Sequence, residues 1–255
     1  VWVLPVPNPN VKIDVADEQF FAELEGQTAP QILPLAPPPC PSNGGSVGGS
    51  TLDAGAGGVE IYQERVVGPY QTVVLGGDSS EGLVDWLTNN GYAIPDSTLP
   101  AIQHYVDAEQ VFVVLRLAPE DDVSAMQPVR VEFKGYMGTF PLKMVTVGAF
   151  GTVALTLWVI AEQRYTTPNY GSTTIDPSDV EWLGGGSNYR QLFAAAVDEQ
   201  GGKGWVTEFA GPLDSLWFTT PDELDDVRED IPYPFITRLA TDIRVENIAG
   251  DLELA

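Results

Sequence analysis

The stretch Met144-Val-Thr-Val-Gly148-Ala-Phe-Gly151-Thr-Val-Ala-Leu-Thr-Leu-Trp158-Val-Ile-Ala161 runs for 18 residues without a charge. A membrane-spanning helix needs about 20 apolar residues, so this run is just long enough to raise one. Its composition points elsewhere. Val, Thr and Ile favour extended backbone, and Gly148 and Gly151 sit where a turn belongs. The reading is two buried strands, Leu142–Val147 and Val153–Ala161, joined by a short loop, with no membrane span in the chain.

Working outward from this run, strand signals dominate. Residues 1–7, Val11–Val15, Val111–Leu117, Val129–Phe133, Gly204–Phe209 and Ile236–Ile248 all read as strands. Val59–Leu75 reads as strand broken by Gly68-Pro69-Tyr70. Helices fit between them. Asp17–Glu25 carries Phe20, Phe21 and Leu24 on one face, with Gly26 as its stop. Ser79 or Ser80 caps a helix with the apolar stripe Leu83, Val84, Trp86 and Leu87, closed by Asn89-Asn90-Gly91. Leu99–Val106 has Pro100 in its first turn, and Gln191–Asp198 is short. Thr220-Pro221-Asp222-Glu223 has the pattern of a capping box. The expected class is α+β, a mostly antiparallel sheet with about five short helices and a long surface loop.

Residues 30–41 are rich in proline and extended, and 42–58 form a flexible Gly/Ser-rich loop. The 41 residues before that loop are too few to fold alone. The whole of 1–255 is therefore read as a single α+β domain.

The chain has 255 residues, with 36 Asp and Glu against 12 Lys and Arg, for a net charge of −24. That excludes nucleic-acid binding driven by phosphate neutralisation, and it disfavours anionic lipid surfaces. It attracts cations and basic partners, though excess acid also serves solubility alone. Cys40 is the only cysteine, which rules out an internal disulfide and a Cys-based zinc site. In an exported protein Cys40 is a candidate for a covalent contact with another chain or with a missing part of its own. With no initiator Met and no signal-peptide pattern, the chain reads as processed, or as lacking its beginning. If Val1 is a true end, the lead strand with Trp2 is a candidate partner contact by sheet-edge pairing.

Signals for chemistry are sparse. Gly184-Gly185-Gly186-Ser187 lacks the lysine of a phosphate loop, no dinucleotide fingerprint follows a strand, and no Gly-x-Ser-x-Gly elbow occurs. His104 is the only histidine. A residue on a helix beside Tyr105 is better read as structural than as part of a triad. Asp222, Glu223, Asp225 and Asp226 are candidate Ca²⁺ ligands, although the Asp-x-Asp-x-Asp-Gly loop is absent and helix-start acids explain most of the run. Glu120-Asp121-Asp122 reads as an exposed loop. Trp86, Trp158 and Trp182 are expected in the core, whereas Trp2, Trp205 and Trp217 are left open. Tyr165, Tyr170 and Tyr189 are weighed as a glycan or peptide groove against ordinary packing. No catalytic residue and no cofactor is predicted beyond possible Ca²⁺.

The order of local motifs nevertheless resembles one family. Trp2-Val3-Leu4-Pro5-Val6-Pro7 comes first, then a Phe-Phe-x-x-Leu helix, Gly68-Pro69-Tyr70, Leu83-Val84-Asp85-Trp86-Leu87 and Asn90-Gly91-Tyr92. Pro100 with His104-Tyr105-Val106, Gln127-Pro128, Pro141-Leu142, Pro168-Asn169-Tyr170 and Thr237-Arg238-Leu239 follow. Together they resemble, over nearly the whole chain, a bacterial family of exported proteins known as a domain of unknown function, number twenty-three thirty. The resemblance implies export, with a signal peptide and a further β-rich, Cys-containing segment ahead of Trp2. On that reading Cys40 has lost, or is held to, a partner upstream. It also implies more polar sequences between the strands at Leu142–Val147 and Val153–Ala161, and variation at 42–58. The family has no assigned activity, so no site residue is carried over.

The expectation is a non-enzymatic cell-envelope protein, periplasmic, on the cell surface or secreted. It would serve as a structural or accessory subunit, with a protein partner or a homo-assembly. The alternatives are a Ca²⁺-stabilised adhesion or binding module and a carboxylate-dependent envelope hydrolase.

Overall fold

A computed structural model describes residues 1–32, 60–92, 94, 98–118, 121, 123–135, 138–183 and 186–255. Cys40, most of the proline-rich stretch, the Gly/Ser-rich 42–58, Glu120 and Asp122 lie outside the described residues. In chain order the elements are β1 (Trp2–Val6), β2 (Val11–Val15), α1 (Glu18–Thr28), β3 (Glu60–Val67), β4 (Tyr70–Gly76), α2 (Ser80–Asn89), α3 (Leu99–Asp107), β5 (Val111–Leu117) and β6 (Val129–Phe133). There follow β7 (Thr139–Phe140), β8 (Thr152–Ala161), β9 (Ser172–Thr173), β10 (Trp182–Leu183), β11 (Gly186–Ser187), α4 (Tyr189–Glu199), β12 (Trp205–Pro212), α5 (Asp225–Asp230), β13 (Phe235–Arg244) and β14 (Leu252–Glu253). The class is α+β, and the strand pairs are antiparallel except β9 with β12. Contacts gather the chain into two compact units.

The first unit takes Val1–Ala16, Asn43–Met137 and Pro141–Gly148. Its sheet has the order β1-β5-β4-β3. β5 reads Val-Phe-Val-Val-Leu at its start because both faces are covered. Phe112 and Val114 pack with Val73 and Leu75 against Leu83, Trp86, Leu87, Ile102 and Tyr105 of α2 and α3. Val111, Val113 and Leu115 face the other way, toward Val11 and Ile13 of the β2–β6 ribbon. Gly68 turns β3 into β4 at φ +54, and a Cβ there would lie 2.5 Å from Val15 Cγ1. Glycine is thus required both by the left-handed backbone and by the close approach. α2 begins as expected, with the Ser79 hydroxyl accepting the Gly82 amide.

The second unit takes Asp17–Ser42, Gly138–Phe140 and Ala149–Ala255. Its sheet has the order β8-β13-β12-β9. β13 is the central strand, paired along all ten residues with β8 and on its other side with β12. α1 packs Leu24 and Phe20 against Ile236, Trp158, Ile160 and Phe209, with Leu213, Phe218 and Leu224 completing that core. α4 sets Ala196 and Val197 on Val206.

Several expectations are corrected. Leu142–Val147 is not a strand: Leu142–Thr146 is a 3₁₀ helix, with the Val147 amide bonded to the Met144 carbonyl at 3.0 Å. Its β-branched residues are overruled by packing, since Leu142 is fully buried and Met144 sits against the α2–α3 core. Gly148 and Gly151, at φ +85 and +71, then lead into β8, whose ladder partner is β13 and not the preceding segment. β8 is half-exposed at a sheet edge. Among the described residues no helix is long and apolar enough to cross a membrane. Gly26 does not stop α1, which runs on to Thr28, because the glycine has helical backbone and the breaker is Pro30, which holds Ala29 extended at ψ 145. Ile236–Ile248 ends as strand at Arg244, after which Val245–Asn247 is 3₁₀. The capping box at Thr220 does not form: the Thr220 hydroxyl donates to Glu23, and the Glu223 carboxylate accepts the Asp17 amide.

Candidate functional site

Arg238 stands in the middle of β13, with its side chain 6% exposed. A buried guanidinium must find anions and acceptors nearby. Three elements of the second unit supply them. A bulge in β12 between Thr207 and Phe209 sets Glu208 as the extra residue, and its Oε2 accepts Arg238 Nε at 2.7 Å. The end of α1 supplies Glu25, which takes Nη1 at 2.7 Å and Nη2 at 3.0 Å in a two-pronged pair. Thr28, one turn on, accepts Nη1 at 3.4 Å and the Trp158 indole N–H at 2.9 Å, while the Trp158 ring lies 5.2 Å from the guanidinium. Tyr189 at the start of α4 donates to Glu208 Oε1 at 2.6 Å.

Burial and the bond to anionic Glu208 push the Tyr189 phenol well above its ordinary pKa, so it stays protonated. Burial works against the charge on Arg238. The hydrogen bonds to Glu25 and Glu208, with their negative charge, outweigh it and raise the guanidinium pKa.

This network forms the floor of a cleft of about 310 Å³ between the ends of α1 and α4. Its lining also includes Ala154, Leu155 and Thr156 of β8, Arg190 and Phe193 of α4, and Asp242 of β13. Glu25 and Glu208 share the cleft, but each carboxylate is bound to Arg238. Neither is set apart from a cation, as a general acid of glycoside hydrolysis must be. The side chains of Asp242 and Arg190, by contrast, have no ion pair or hydrogen bond among the described residues.

The residues singled out from sequence do not converge here, apart from Tyr189. Tyr170 is buried elsewhere in the unit, its hydroxyl donating to the Gly250 carbonyl, and the Tyr165 amide donates to the Thr237 hydroxyl. Asp222 and Glu223 lie in the 3₁₀ turn Pro221–Leu224, and Asp225 and Asp226 are exposed in the first turn of α5. Among the described residues no three His, Cys, Asp or Glu side chains are grouped to hold a metal. Trp2 is half-exposed on the outer strand β1, stacked on Tyr70 at 6.3 Å. His104 is exposed on α3 with its ring edge-on to Tyr105. Trp182, expected in the core, is 48% exposed because its strand pairs only with the two-residue β11, whereas Trp205 is fully buried and Trp217 exposed.

Sequence reasoning passed over Arg238, Glu25, Glu208 and Thr28. One signal was available: an arginine inside Ile236-Thr237-Arg238-Leu239-Ala240 is a charge in an otherwise buried strand, and such a charge demands partners. No curated protein and no solved structure matches the chain. Residues 1–255 match as a whole the family described as an uncharacterized protein conserved in bacteria, DUF2330, and the chain belongs to it.

Proposed function

We propose that this DUF2330 protein is a non-enzymatic, exported cell-envelope protein, a structural or accessory subunit that binds another protein by taking one of its strands along β8. One observation carries this reading. β8 is a ten-residue edge strand with no charge and no proline, and nothing among the described residues pairs with the side turned away from β13. Such an edge is a template for another chain. Both edges of the other four-stranded sheet are guarded. β1 carries Pro5, and β3 carries Glu64, Arg65 and an irregularity between Ile61 and Gln63. The commitment of both cleft glutamates to Arg238 favours binding over hydrolysis.

The test is made on protein from its natural source. Native mass spectrometry is expected to find it bound to another chain in the envelope fraction. Amide hydrogen exchange is expected to show Thr152–Ala161 protected in that complex relative to the free protein. A bare monomer, a cytoplasmic location, or a complex in which those amides exchange freely overturns the proposal.

A further inference from the structure

The cleft beside β8 says which kind of strand fits there, if the strand-docking reading is accepted. Ala154, Thr156 and Trp158 point to the same face of the sheet as their cross-strand neighbours Asp242, Ala240 and Arg238. Two of these positions on β8 are small and exposed, Ala154 and Thr156. Beyond Ala154 stands Asp242, a half-buried carboxylate without a partner among the described residues. A strand added to β8 lies about 5 Å outside it and so about 10 Å from β13. A lysine or arginine opposite Ala154 spans that gap over the alanine methyl. A short side chain leaves Asp242 unpaired under the added strand, where its desolvation is unfavourable.

The charge of the surroundings agrees. The cleft has three carboxylates, Glu25, Glu208 and Asp242, against two guanidinium groups, Arg190 and Arg238. Arg190, on α4, is exposed to water. The molecule as a whole carries −24, a field that draws cationic segments toward it. We infer that the occupant of the β8 edge is an extended segment of another protein with a basic residue that crosses Ala154 to pair with Asp242.

The experiment uses the intact protein and three labelled decapeptides in which Thr alternates with Lys, with Ser or with Glu. Binding is read by fluorescence anisotropy at two salt concentrations. The Lys peptide is expected to bind about tenfold tighter than the Ser peptide and tighter still than the Glu peptide, with the preference weakening as salt rises. At the higher salt concentration, where the field of the rest of the molecule is screened, Asp242→Asn is expected to remove most of the Lys-over-Ser preference, and Ala154→Lys to weaken binding of the Lys peptide by occupying Asp242 from within. Equal binding of the Lys and Ser peptides by the unmodified protein overturns the basic selectivity and leaves strand docking standing. Absence of binding by any peptide, together with a β8 left unprotected in the natural complex, overturns both. A dimer of this chain that Ala154→Lys converts to monomer shows that a second copy is the occupant, and it overturns the inference.

Discussion

Replacing Arg238 with Met would leave Glu208, whose side chain is 7% exposed, as a buried carboxylate with only the Tyr189 hydroxyl beside it. Removing one partner of a buried ion pair costs about 3–5 kcal/mol, whereas replacing both by apolar groups costs far less. Denaturant unfolding should therefore show R238M destabilised by about that amount, with the R238M/E208L double variant recovering most of it. Tyr189→Phe removes one charge-assisted hydrogen bond, a loss of about 1.5–3 kcal/mol near neutral pH. The same residue gives a pH signature. Its folded pKa is raised, so its contribution is complete below the ordinary tyrosine value and fades as pH rises above it. The wild-type protein should lose stability in that alkaline range more steeply than Tyr189→Phe. Glu23 behaves with the opposite sign. The Thr219 hydroxyl foremost holds its carboxyl below the ordinary range; desolvation, next in size, opposes it, and Gln19, the Thr219 amide and Thr220 add to the lowering. Its contribution is present above the ordinary carboxylate value and disappears as pH falls below it, so Glu23→Gln should flatten the acid limb of the stability curve.

At the scale of elements, α1 offers a direct check on how its length is set. Gly26 is exposed, has ordinary helical backbone, and a Cβ there would meet nothing within 4 Å. Gly26→Ala should stabilise the protein by about 0.5–1 kcal/mol, which a melting curve registers as an increase of roughly 1–4 °C. The elements also mark what sequence could and could not disclose. Ser79 was legible as a cap because capping is decided within four residues. β2, β5 and β6 were legible to the residue because their apolar runs are bounded by turn formers and their faces are packed. The 3₁₀ turn at Leu142–Thr146 was not, because burial of Leu142 and Met144 decides it and Val145, Thr146 and Val147 argue locally for a strand. The Arg238 network was illegible for the same reason in stronger form. Glu25 lies 213 positions from Arg238 and Glu208 lies 30 away, and no local pattern encodes either pairing.

For the whole molecule the dominant quantity is charge. At −24 over 255 residues the compact state works against its own repulsion, and ions in solution screen it. Raising the salt from about 10 mM to 150 mM, where the Debye length falls from about 30 Å to about 8 Å, should raise the melting temperature. The few ion pairs do not reverse this. Lys12–Glu132 and Arg244–Glu246 are largely exposed and contribute little, and the Arg238–Glu208 pair, buried on both sides, is poorly reached by salt.

The place of β13 between β8 and β12 also has a consequence during synthesis. β8 leaves the ribosome with neither edge satisfied, and its partner begins roughly seventy residues later, a delay of about 4–15 s at bacterial elongation rates. Throughout that interval an uncharged ten-residue segment waits as an open adhesive strip, the kind of sequence that nucleates aggregates. The nascent chain is open to self-association at this stage, so slower translation between Ala161 and Phe235 should lower the soluble yield.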